Sequence, residues 1–255
     1  MIESNIRKII YVIPYIRRTM QNFYTPPELF NGAAVTLAGD EYRHAARSCR
    51  VRVGELIGVT DGAGRRVEAR VETIGTSSLS AAVVGDLSGK GEPAREITLA
   101  LALIKPARFE TAVEKCTELG VRRIVPLAAA RCERGGARPN YLRLRRIALE
   151  AAKQAGRSWI PEIASVADIE SVCRGGGALI AAAKGADLRV REALARFPGA
   201  ERVTLLVGPE GDFTSEETTL MIEMGAVLAG LGGLTLRAET AAVAAVALVV
   251  SAVSY

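Results

Sequence analysis

Two strand–glycine loop–helix units follow one another between Arg202 and Ser251, and they constrain what the rest of the chain can become. Arg202–Val207 is a short apolar run rich in β-branched residues, the pattern of a buried strand. It runs into Gly208-Pro209-Glu210-Gly211, where glycine allows a tight turn and close backbone approach to a ligand. Thr214-Ser215-Glu216-Glu217 then offers N-cap hydroxyls ahead of acidic first-turn residues, so a helix is predicted there. The second unit has a strand at Val227–Ala229, a loop at Gly230-Leu231-Gly232-Gly233 and an Ala/Val helix opening near Leu236-Arg237. Two such units in succession predict a site for a small polar ligand at the carboxyl ends of parallel strands. The same glycines also suit plain strand–helix turns. Neither loop is a dinucleotide fingerprint or a phosphate loop.

Read together, Val207–Gly211, Leu231-Gly232, and Leu236-Arg237 followed by Glu239-Thr240-Ala241 resemble the C-terminal half of the SPOUT methyltransferases. Within them the match is to the RsmE family, which methylates uracil N3 in 16S ribosomal RNA. The resemblance implies an α/β methyltransferase domain tied into a trefoil knot that holds S-adenosylmethionine (SAM). Chains as a rule do not knot, so the knot rests on the resemblance alone.

Net charge is +5 and arginine is heavily used, which fits a nucleic-acid partner without requiring one. Cys49, Cys116, Cys132 and Cys173 are far apart and form no C-x-x-C. No metal site or disulfide framework is expected, and a cytoplasmic setting is. His44 is the single histidine, which excludes any scheme that needs two. The apolar stretch Ile9–Ile16 carries Pro14, is flanked by basic pairs and has no small-residue cleavage site after it, unlike a signal peptide. Ala241–Tyr255 is apolar but too short to span a bilayer, and reads as a buried or interface helix. Residues 1–20 differ in texture from the rest of the chain and are expected to be an extension outside the fold.

Residues 21–90 are expected to form the first domain. Ala34–Leu37, Glu55–Thr60, Arg66–Ile74 and Leu79–Val84 alternate apolar and polar residues, the period of half-buried strands. Asp61-Gly62-Ala63-Gly64 is a strong hairpin turn, and the short strands suggest a small β-barrel. A helix is predicted over Asp40–Arg50, with Arg43, Arg47 and Arg50 on one face. Glu41–Arg70 holds seven arginines against four acids. A charge run of this kind is commonly a solvated helix face. Phe23-Tyr24, Gly39-Asp40-Glu41 with His44, and Arg47 to Gly54 resemble the family's PUA-like barrel, an RNA-binding module. That resemblance favours RNA contact for the three arginines, whose planar forks suit phosphate and unpaired bases. Gln21-Asn22 stand where the family often has arginine.

Gly85–Glu96 reads as a flexible linker. Beyond it strands alternate with helices, the texture of an α/β domain with a mainly parallel sheet over residues 91–255. Strands are expected at Ile97–Ile104, Ile124–Leu127 and Ala178–Ala182, and helices at Phe109–Leu119 (ending at Gly120), Tyr141–Gly156 and Leu188–Phe197. Lys105 and Arg108 suit either RNA backbone or ordinary solubility. Glu150 to Arg157 matches a family signature in which Gln154 and Arg157 would orient substrate, and Arg131 to Arg134 matches another. Trp159 offers a stacking platform, although a lone Trp more often packs.

The resemblance implies SAM contacts from Ala182, Ala183, Val207, Gly208, Pro209, Glu210, Gly211, Leu231, Gly232, Leu236 and Thr240. Methyl transfer from a sulfonium needs alignment more than a nucleophile or a metal. Uracil N3 must lose a proton, so a cation should stabilise the anion that develops. Arg237 is the candidate for that role, with Glu210 or Glu239 as proton acceptor. The bland reading of Arg237 and Glu239 is a helix-start ion pair worth little. The family resemblance also implies a homodimer, with the small-residue helix Glu239–Val250 as a candidate interface and internal core as its equal alternative. Two other readings stay open: a knotted RNA-binding protein without turnover, and a SPOUT enzyme acting on another RNA nucleotide.

Overall fold

The computed structural model describes residues 20–132 and 139–252; the expectations for residues 1–19 and for Arg134 lie outside them. Strands β1 (Asn22–Tyr24), β2 (Phe30–Asn31), β3 (Ala34–Ala38), β4 (Leu56–Thr60), β5 (Arg66–Ile74) and β6 (Ser78–Asp86) make one sheet, ordered β1-β4-β5-β6-β3-β2. All pairs are antiparallel except β1 with β4. Alternation along the strands sends Val35, Leu37, Ile57, Val67, Ala69, Val71 and Leu79 into one core with Phe23. The Thr25 hydroxyl, just past β1, donates to the Thr36 carbonyl on β3 at 2.6 Å, which curls the sheet toward the expected small barrel.

The predicted helix over Asp40–Arg50 is corrected. An α-helical turn, α1 (Gly39–Arg43), passes into a π-helical turn at His44–Ser48, where the Cys49 amide reaches back five residues to the His44 carbonyl. Arg50 lies beyond it at φ 53°. The wider turn breaks the 3.6-residue period, so Arg43, Arg47 and Arg50 do not share one helix face.

The second sheet holds β7 (Glu96–Ala102), β8 (Arg123–Ala128), β9 (Glu162–Ile163), β10 (Ala167–Asp168), β11 (Ala178–Ala182), β12 (Arg202–Val207) and β13 (Val227–Ala229). Its order is β10-β8-β7-β12-β11-β13, with β9 also on β8, and every pair is parallel. The helices are α2 (Pro106–Glu118), α3 (Tyr141–Ala155), α4 (Ile169–Cys173), α5 (Val190–Ala195), α6 (Ser215–Glu223) and α7 (Ala238–Ala252). They cover both faces. Leu99, Leu101, Ile180 and Leu205 pack with residues of α2, α3, α5 and α7 on one side. Ala100, Leu179, Ala181 and Leu206 pack with α4 and α6 on the other. A sheet buried on both faces must be apolar at consecutive positions, which is why these strands read as continuous apolar runs. No helix among the described residues is long and apolar enough to cross a membrane.

The boundary between the sheets is tied down rather than loose. The Arg157 guanidinium pairs with Glu92 at 2.7 Å, and the same carboxylate accepts the Ser158 amide at 2.9 Å. The Asp61–Gly64 hairpin docks beside it, with the Gly64 amide donating to the Ser158 carbonyl at 3.0 Å. A Cβ on Gly64 would overlap the Trp159 ring. Lys153 of α3 reaches Glu41 of α1, in the first domain, at 2.6 Å.

Candidate active site

Strands β12, β11 and β13 are neighbours and parallel, so their carboxyl ends open at one place. The three segments that leave them line a cleft of about 300 Å³. Ala182, Ala183 and Lys184 follow β11; Val207, Gly208, Pro209, Glu210, Gly211 and Asp212 follow β12; Leu231, Gly232, Leu234, Thr235 and Leu236 follow β13. Ala238 and Ala241 of α7 close one side. The cleft gathers every residue that the resemblance implies as a SAM contact except Thr240, together with Lys184, Asp212, Leu234, Thr235, Ala238 and Ala241, which are not among those contacts.

Local chemistry shapes each wall. The Asp212 amide donates to the Pro209 carbonyl at 2.9 Å, closing a turn that puts Asp212 at φ 59°. Only glycine adopts that conformation freely, and Asp is among the few residues that tolerate it. Thr214 caps α6 by accepting the Glu217 amide at 3.2 Å, while Glu217 accepts the Thr214 amide at 2.8 Å. Arg131 donates to the Gly211 carbonyl at 2.7 Å, and Glu217 accepts the Ala130 amide at 2.7 Å. The segment after β8 thereby braces the segment after β12. Across the cleft, the Lys184 ammonium donates to the Thr235 hydroxyl at 2.8 Å. The Ala183 amide donates to the Ala229 carbonyl and the Gly230 amide to the Leu188 carbonyl, so the post-β11 and post-β13 segments lie in contact. Gly232 sits at φ 134°, a conformation closed to side chains.

The charged groups at the rim are not arranged as a helix-start pair. Glu239 does not pair with Arg237. It faces Arg108 of α2, whose Nε is 3.8 Å from Glu239 Oε1 and whose Nη1 is 2.5 Å from Glu210 Oε1. Arg108 thus joins a cleft-wall carboxylate to one on the first turn of α7. The Glu239 side chain is 14% exposed. Its Oε2 is buried with no hydrogen-bond partner among the described residues. Arg237 lies between two wall residues, Leu236 and Ala238, but is not itself part of the wall. It is exposed, and its side chain makes no hydrogen bond or ion pair among the described residues. Thr240 is corrected: it is exposed and outside the cleft wall, because two residues along a helix is about 200° of turn from Ala238, which faces in.

The residues expected to contact RNA separate into two groups. Arg43, Arg47, Arg50, Lys105 and Gln154 are exposed. Arg157 is corrected. Its side chain is 5% exposed, and its donors are used on Glu92 and on the carbonyls of Thr117, Gly120 and Val121, which leaves nothing for a ligand. Trp159 is a packing residue: Arg122 covers its ring at 3.4 Å from the centroid, and Gly64 lies against its edge. Buried cationic side chains look like binding residues in a sequence, because only the fold shows what they pair with.

The cleft combines apolar faces (Val207, Leu231, Leu236), backbone polar groups in two glycine-containing loops, and carboxylates at one rim. That set fits a ligand with a flat ring and polar, partly cationic ends. Over residues 91–250 the sequence matches the family described as RNA methyltransferase domain. The chain belongs to this RNA methyltransferase family. Residues 37–84 match the RNA methyltransferase PUA domain, so the first sheet is the PUA-like part of a SPOUT-class α/β methyltransferase. Among curated RNA methyltransferases, the ribosomal RNA small subunit methyltransferase E of Mycobacterium bovis is 34% identical over 235 residues, 88% of each chain. That of Synechocystis is 29% identical over 265 residues, 97% of this chain and 84% of the other. The structure of the Neisseria gonorrhoeae ribosomal RNA small subunit methyltransferase E bound to S-adenosyl methionine aligns at a TM-score of 0.77 and 26% identity, covering 91% of this chain and 97% of that one.

Proposed function

We propose that this methyltransferase uses SAM to methylate N3 of a specific uridine in 16S ribosomal RNA, presented on the small ribosomal subunit or a precursor of it. One observation carries the reading: three adjacent strand ends form a cleft with two carboxylates tied together at its rim and, beside it, an exposed arginine with no partner among the described residues. The names of the relatives and the ligand of the Neisseria structure support it.

When bound, SAM supplies a methyl group already activated on a sulfonium. The chain's own residues then have to hold, align and handle one proton. The loops Val207–Gly211 and Leu231–Leu236, with Ala182 and Ala183, hold the donor through backbone groups and apolar faces. Arg237 stabilises negative charge on the deprotonated base. Glu210 or Glu239 receives the N3 proton. Arg43, Arg47 and Arg50, with Lys105 and Gln154, meet the RNA, whose target base is unpaired or flipped on arrival. The division at residues 20 and 90, a trefoil knot where 230–237 passes 183–188, and a cytoplasmic homodimer belong to the same proposal. For the dimer, the outer side of α7 offers half-buried Ala244 and Ala247 and exposed Leu248 to a second copy.

Mass mapping of 16S ribosomal RNA from a deletion strain tests the target: the N3-methyluridine should vanish, and its persistence defeats the assignment. Calorimetry with SAM separates a catalyst from a binding-only protein, which would give no heat. Arg237→Ala should remove most turnover while SAM affinity stays within about tenfold, roughly 1.4 kcal/mol. Wild-type rates in that variant would exclude Arg237 from the chemistry.

A further inference from the structure

Three charged side chains stand among the described residues of the cleft wall: Lys184 after β11, and Glu210 and Asp212 after β12. Lys184 is therefore the single cation among them. Its ammonium donates to the Thr235 hydroxyl at 2.8 Å, and it meets no carboxylate among the described residues. Glu210, by contrast, already has Arg108 at 2.5 Å. Lys184 and Thr235 come from different wall segments, and both are exposed, so a ligand that enters the cleft can reach both.

The donors of this pair match one kind of ligand group. A lysine ammonium has three N–H donors, and one is used on Thr235. The Thr235 hydroxyl accepts that bond, which leaves its own O–H proton to donate. Two donor groups 2.8 Å apart, one of them charged, suit the two oxygens of a single carboxylate. An exposed lysine alone would gain little from an anion, because its long side chain must first be ordered. The bond to Thr235 orders it beforehand. Depth then decides which end of SAM meets the pair. Val207, Gly208, Pro209 and Ala238 are buried, and Leu231 and Leu236 half-buried, which makes a floor for an apolar ring. A carboxylate would lose its water there at great cost. Beside Glu210 and Asp212 it would meet like charge, so the exposed edge at Lys184 and Thr235 is where it is accepted.

We infer that Lys184 and Thr235 hold the carboxylate on the methionine end of SAM, the ammonium on one oxygen and the hydroxyl on the other. This rests on the proposed placement of the donor in this cleft. The anchor sits where two of the three wall segments, those after β11 and β13, are already tied together. No covalent bond is made or broken by it. The pair sets affinity for the donor and equally for its demethylated product, which keeps the carboxylate.

The test is calorimetry on the full-length protein with two ligands that differ by one group, SAM and decarboxylated SAM, alongside a measurement of RNA affinity. Lys184→Met should weaken SAM by at least about fivefold while decarboxylated SAM stays within about twofold of wild type, since only the first can use a charge-assisted bond. Thr235→Val should act in the same direction by a smaller factor, because it removes a neutral donor. Lys184→Arg should keep most of the SAM affinity, since a guanidinium also presents charged donors. Two results would overturn the assignment. Lys184→Met could weaken both ligands equally, which would make Lys184 a tie between loops and nothing more. It could instead leave both unchanged and weaken RNA alone, which would give the ammonium to an RNA phosphate. Failure of the underlying reading looks different: the wild-type protein would then give no heat with either ligand.

Discussion

Asp212 shows how one residue carries both a conformational and an electrostatic consequence. It holds φ 59° in the wall segment after β12, and its carboxylate accepts the Phe213 amide at 2.8 Å. Residues other than glycine in sparsely populated conformations cost about 1–3 kcal/mol, and a β-branched side chain fits worst. Asp212→Gly should therefore leave stability in urea within about 0.5 kcal/mol of wild type, while Asp212→Val should lower it by about 1–2 kcal/mol. Equal midpoints for the two variants would show that the turn is not strained. Cys116 behaves as bulk packing at this scale. Burial alone pushes the Cys116 thiol up to about 12, so it stays protonated and unreactive in the core.

At the scale of elements, the strands and helices are legible in the sequence where their periodicities are strong. Arg66–Ile74, Ala178–Ala182, Arg202–Val207 and Val227–Ala229 are strands over the ranges their patterns predict. The two-residue strands β2, β9 and β10 and the one-turn helix α4 are not legible, since segments that short carry no period and exist because a neighbour offers pairing. The end of α3 shows why residue roles are harder to read than elements. Gly156 caps the helix at φ 65°, and the chain then carries Arg157 inward to Glu92 and three carbonyls. Removing one partner of such a pair strands a buried charge. Arg157→Met should cost about 3–5 kcal/mol in chemical unfolding, and adding Glu92→Leu should recover part of it. A loss under about 1 kcal/mol would mean the pair is hydrated and expendable.

Across the molecule, one contact couples the two sheets to pH. Lys153 is almost fully buried beneath the first sheet; burial pushes its ammonium down, but the carboxylates of Glu41 and Glu150 outweigh this and leave it raised. A lysine raised by folding contributes stability that is fully present below its unfolded value of about 10.4 and is lost as pH climbs through the raised one. Calorimetric melts of wild type and Lys153→Met should differ most near neutral pH and converge as pH climbs through the raised lysine value. A constant difference across that range would separate Lys153 from the alkaline response. The cleft opens at strand ends of the second sheet, while Arg43, Arg47 and Arg50 follow β3 of the first, so under the proposed function this interface would set the distance between RNA contact and methyl transfer.

The sequence alone determined the α/β texture of the second part, the strand character of the first, the two glycine-containing loops and most of the cleft wall. These are local properties: hydrophobic period, turn chemistry and capping act between residues a few positions apart. Only the tertiary structure decided that Arg108 belongs to Glu210 and Glu239, that Arg157 is sealed inside, that Thr240 turns away and that Arg50 leaves the helix. Each of those depends on which distant segment supplies the counter-charge or the packing surface, and a pairing across about 100 residues leaves no period in the chain for a reader to find.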